Sequence, residues 1–106
     1  MDFAKLAEKL GLEKDEFIEL VELFLDVSAS DLGKLQSAID ERDIQQAVEV
    51  AHSLKGASGN LGLDEISRMA KNVEANARQG SLDGATEAVR MMKEKRELIA
   101  EAIKNA

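Results

Sequence analysis

The chain has 106 residues, 44% of them hydrophobic but only 3% aromatic, with no proline, cysteine, tryptophan or tyrosine. That length suits one domain with a single core, and a proline-free chain rich in Ala, Leu, Glu, Lys and Ile favours helices. Lack of cysteine excludes disulfides and thiolate metal sites, and a net charge of −7 argues against nucleic-acid or anionic-membrane surfaces.

Glycine supplies the punctuation. Phe3, Leu6, Ala7 and Leu10 predict a short amphipathic helix that stops at Gly11. A long helix follows from about Lys14, with Phe17, Leu20, Val21, Phe24, Ser28, Leu32, Leu35 and Ile39 recurring at helical steps. The small polar cluster from Ser28 to Ser30 is a candidate interruption, and Glu41 to Asp43 a short connection. The third helix is predicted from Ile44 to about Asn60, with a near-heptad seam of Ile44, Ala47, Ala51, Leu54, Ser58 and Leu61. Gly62 ends it. Asp64 and Glu65 suit the first turn of a fourth helix, which turns Ile66, Met69, Ala70, Val73 and Ala77 inward and stops at Gly80. Ser81 is the expected N-cap of a last helix carrying Leu82, Ala85, Val89, Met92, Ile99 and Ile103. Met69, Met91 and Met92 are expected as core or boundary filler. The expected fold is all-α: an up-down-up-down four-helix bundle with a short extra N-terminal helix, as a single domain over residues 1–106.

The third helix carries the chemistry. His52, the only histidine, is followed by Lys55, Gly56 and Gly59, and positions i, i+3, i+4 and i+7 share one helical face. His52 lies one residue past Ala51 in the seam, so it faces solvent or the core margin. Lys55 sets a cation within one turn of the imidazole. An interior glycine costs a helix about 1 kcal/mol relative to alanine, and Gly56 and Gly59 read as places where a partner approaches the ring.

The run His52-Ser53-Leu54-Lys55-Gly56-Ala57-Ser58, with Leu61-Gly62 after it, resembles the signature of histidine-containing phosphotransfer (HPt) domains. Ala38, Ile39, Asp43, Ala47 and Ala51 extend the resemblance upstream. Val73-Glu74-Ala75-Asn76-Ala77-Arg78-Gln79-Gly80 is similar to the family's LExxAxxG segment, with valine for the usual leucine. The resemblance covers roughly residues 15 to 100 and implies a phosphorelay role. His52 would accept a phosphoryl group from a receiver-domain phosphoaspartate or a histidine kinase and pass it to another receiver. Lys55 would stabilise its charge, and Gly56 would give the partner access. No cofactor is implied for the chain itself, Mg²⁺ being expected on the partner receiver.

Around this core, Gln45 and Glu49 lie two turns and one turn before His52, either as ring-orienting groups or as solvated surface. Ser58 reads as a packing residue whose hydroxyl bonds to a carbonyl one turn earlier. Arg68, Lys71 and Arg78 stripe the fourth helix, as a solvated face or as a dock for an acidic receiver surface. Residues 56 to 62 lack the GxxxxGK[ST] pattern of a phosphate loop, and one histidine cannot build paired Glu-x-x-His di-iron ligands. No ATP-binding motif is present, so a carrier and not a kinase is expected. A receiver-binding adaptor bundle and the phosphoaccepting domain of a larger chemotaxis-type kinase are the alternatives. No apolar run approaches the ~20 residues that span a bilayer and no signal peptide is visible, so a cytoplasmic monomer is expected.

Overall fold

The computed structural model describes all 106 residues and consists of α1 (Phe3–Lys9), α2 (Lys14–Asp40), α3 (Ile44–Asn60), α4 (Asp64–Arg78) and α5 (Ala85–Lys104). Each of α2 to α5 packs on the next, and α5 returns to α2, which closes an up-down-up-down four-helix bundle. α1 lies against α2, with the Phe3 and Phe17 rings 6.3 Å apart. Phe17, Val21, Leu32, Leu35, Leu54, Val89 and Met92 fill the core. Ile44, Leu61, Met69, Leu82 and Ile103 reach only its margin. Leu20 and Met91 depart from expectation: both are exposed on the outer faces of their helices.

One device ends four of the five helices. In α3, Leu63 N–H reaches back to Ser58 C=O at 2.9 Å and Gly62 N–H to Gly59 C=O at 3.0 Å. This paired closure satisfies the last carbonyls and requires a left-handed residue, here Gly62 at φ 73°. α1, α2 and α4 close the same way. In α2 the left-handed residue is Arg42, at φ 55°, where a side chain costs about 1 kcal/mol.

Two expectations need correction. α2 runs through Ser28–Ser30 unbroken: the buried Ser28 hydroxyl donates to Leu25 C=O at 3.2 Å and accepts from Arg96 Nε of α5 at 2.8 Å. A serine bonded back to its own preceding turn in this way is compatible with a continuous helix. Ser81 does not cap α5. Its Oγ accepts from Asp83 N–H at 3.2 Å, forming a local turn, and the helix starts at Ala85 behind the left-handed Gly84.

Candidate functional site

The α3–α4 packing sets His52 beside a carboxylate. Ala47, Ala51, Leu54 and Ser58 turn into the core, so His52, 100° further round, emerges at the α3–α4 boundary with its side chain 62% exposed. Ile66, Ala70, Val73 and Ala77 bury the facing side of α4. Glu74, one residue past Val73 and four past Ala70, is carried to that same boundary and is 6% exposed.

Three donors converge on Glu74. Its Oε2 lies 2.8 Å from His52 Nδ1 and accepts from Arg78 at 2.7 Å; its Oε1 accepts from Lys55 Nζ at 2.8 Å. The Lys55 hydrogen bond, joined by those from Arg78 and His52, overcomes burial and holds the Glu74 carboxyl down at about 2. An ionised carboxylate only accepts hydrogen bonds. The 2.8 Å contact therefore requires the proton on Nδ1, which leaves the ring's lone pair on Nε2. The ring thus has a fixed tautomer and a nucleophilic nitrogen.

Because its folded value is depressed, Glu74 contributes stability that is present above pH ~4.5 and lost as pH falls through about 2. The wild-type melting temperature is expected to fall across that window more steeply than that of Glu74→Gln. Parallel slopes would mean that the ion cluster adds nothing to the fold.

The remaining residues singled out from sequence divide. Lys55, 33% exposed, joins the cluster. Gly56 is exposed, and a Cβ there would meet nothing within 4 Å. Gly59 differs: its Cβ would stand 3.2 Å from Ser67 Oγ of α4, and Ser67 donates to Lys55 C=O at 3.1 Å. Gly59 thus allows close packing of α4 on α3. Ser58 is buried and donates to Leu54 C=O at 2.6 Å. Gln45 and Glu49 do not orient the ring: Gln45 bonds Glu49 at 3.4 Å, and Nδ1 is taken by Glu74.

Glu74 and the contact of Arg78 with it are what sequence reasoning missed. The available signal was an acidic residue four places after Ala70 on a face otherwise filled by Ile66, Ala70, Val73 and Ala77. Arg68 and Lys71, the rest of the basic stripe, are exposed on α4. No three His, Asp or Glu side chains come together as metal ligands, and the hollows beside Leu63–Ile66, Met1–Ala4 and Ser30–Ala38 do not include His52. The site is an exposed imidazole with Lys55 and Arg78 gathered on the carboxylate beside it.

Comparison with known proteins places the chain in a family. The Hpt domain family model matches residues 19–106. The fold is similar to that of histidine-containing phosphotransfer protein B (HptB) from Pseudomonas aeruginosa PAO1, with a TM-score of 0.84 and 28% identity over 99% of this chain and 91% of that one. It is also similar to the HPT domain of an Hpt sensor hybrid histidine kinase from Shewanella, with a TM-score of 0.78 and 16% identity over 99% and 91% of the two chains. No curated protein sequence matches.

Proposed function

The chain belongs to the Hpt domain family, the histidine-containing phosphotransfer proteins of phosphorelays, and we propose that His52 is the histidine that carries the phosphoryl group. The observation that carries this reading is the Nδ1 contact to Glu74 at 2.8 Å, which leaves Nε2 as the nucleophile of an exposed ring. Nε2 attacks the phosphorus of a receiver's aspartyl phosphate. The P–O bond to the aspartate breaks, the Nε2–P bond forms and the aspartate carboxylate leaves. The ring becomes an imidazolium that keeps its Nδ1 proton on Glu74, which stabilises the charge as it forms. Onward transfer reverses these steps. With Nδ1 still protonated, the leaving group is neutral imidazole and not the far more basic imidazolate. Lys55 offsets the phosphoryl charge, and Gly56 leaves the approach open.

Hpt domains are phosphocarriers and not kinases. For this chain we propose a phosphocarrier, monomeric and cytoplasmic, with one domain over residues 1–106. Its donors are receiver domains or a histidine kinase, and Mg²⁺ and the acidic residues come from the receiver. Phosphoryl transfer needs positioning and charge neutralisation more than covalent machinery, so a small bundle suffices on its side of the reaction. An adaptor that only binds receivers has no use for a ring locked in one tautomer.

The test is incubation with a receiver charged by labelled acetyl phosphate, with base-stable, acid-labile label expected on the chain. Glu74→Gln should still be labelled but about tenfold more slowly, the scale of one charged hydrogen bond. An unchanged rate would remove Glu74 from the mechanism.

A further inference from the structure

Arg78 shares Glu74 Oε2 with the His52 ring, yet the carrier mechanism so far gives it no task. We propose that Arg78 is a positioning residue that holds the Glu74 carboxylate and so releases Lys55 to serve the arriving phosphoryl group. This rests on the carrier reading of His52.

The grounds are geometry and charge. Lys55 Nζ sits 2.8 Å from Glu74 Oε1 before any phosphoryl group is present. Facing a phosphoryl group on Nε2 as well, its three donors are shared between two anions, and the more it serves the phosphoryl group the less it holds Glu74. Stripping the cation from a carboxylate that is 6% exposed is costly unless another donor stays. Arg78, at 2.7 Å on the other oxygen, is such a donor, and its guanidinium does not deprotonate. Lys55, Arg78 and Glu74 around a neutral ring carry one net positive charge. After transfer, the imidazolium and the phosphoryl dianion bring the cluster to neutrality. Without Arg78 the same transfer ends one charge negative, with Lys55 claimed by two anions at once.

The two cations should therefore be coupled. With phosphoramidate as a small donor that needs no docking surface, Lys55→Ala should slow labelling about fivefold in the wild-type background. In the Arg78→Ala background the same change should cost less than roughly 1.5-fold, because Lys55 is then held by Glu74. Arg78→Lys should restore most of the Lys55 effect. In Glu74→Gln, Arg78→Ala should leave the rate alone. Additive Lys55 and Arg78 effects would overturn the proposal. So would an Arg78→Ala defect seen only with a charged receiver, which would make Arg78 a docking contact. Label surviving His52→Gln would overturn the carrier reading and this proposal with it, whereas additivity overturns only the role of Arg78. Arg78 is 58% exposed and each single variant leaves one cation on Glu74, so circular dichroism of the single variants should match the wild type.

Discussion

His52→Gln is expected to abolish labelling from every donor while the helical circular dichroism stays unchanged. The chain has one histidine, so no second imidazole can take over. The ring is 62% exposed and contributes nothing to the core. Exposed substitutions usually alter stability by no more than about 0.5 kcal/mol. The Glu74 carboxylate is not stranded by the change, since Lys55 and Arg78 both remain on it. Glutamine can also hydrogen-bond Glu74 through its amide but offers no nucleophilic nitrogen lone pair. The expected effect is complete loss of phosphate with the bundle intact, read by labelling and thermal melting of the same sample. Label surviving in the variant would end the assignment of His52. An unfolded variant would mean that the Glu74 contact holds α3 and α4 together.

The helices were readable in the sequence because each rests on local signals. The glycines at 11, 62 and 80 end helices where they were expected to, and the α3 seam puts Ala47, Ala51, Leu54 and Ser58 in the core. Misreadings arose where a distant residue decides the outcome. Local spacing reads Ser28 as a break, because its partner Arg96 lies 68 residues away. Gly59 looked like a twin of Gly56 because only the packed α4 reveals Ser67 behind it. The same limit applied at the site. Helical spacing put His52 and Lys55 on one strip. The group on the ring's Nδ1 comes from α4, 22 residues on, beyond what helical spacing along α3 relates. A charged residue on an otherwise apolar helix face was the sign that something faced it.

Gly56→Gln is expected to leave the bundle folded and to collapse uptake from a charged receiver. Gly56 lies inside α3 with ordinary helical backbone, and a Cβ there meets nothing within 4 Å. A side chain is therefore tolerated by the fold. Gly56→Ala should even raise stability by roughly 0.5–1 kcal/mol, since glycine loses the most backbone freedom on folding. That corresponds to a few degrees in the melting temperature of a domain this small. Gly59→Ala is the internal control. Its Cβ would press Ser67 Oγ at 3.2 Å, so it should show less gain, or a loss, although both glycines sit in one helix. Gln at 56 stands one turn beyond His52 on the outward strip, where a receiver must bring its phosphoaspartate to Nε2. Misplacing the reacting atoms by about 1 Å is enough to cost on the order of a hundredfold. Phosphoramidate needs no docking surface, so it should label Gly56→Gln at nearly the wild-type rate. The ratio of the two rates separates access from chemistry: normal uptake from the receiver would show that Gly56 leaves no needed space, and equal loss with both donors would place its effect on the His52 ring.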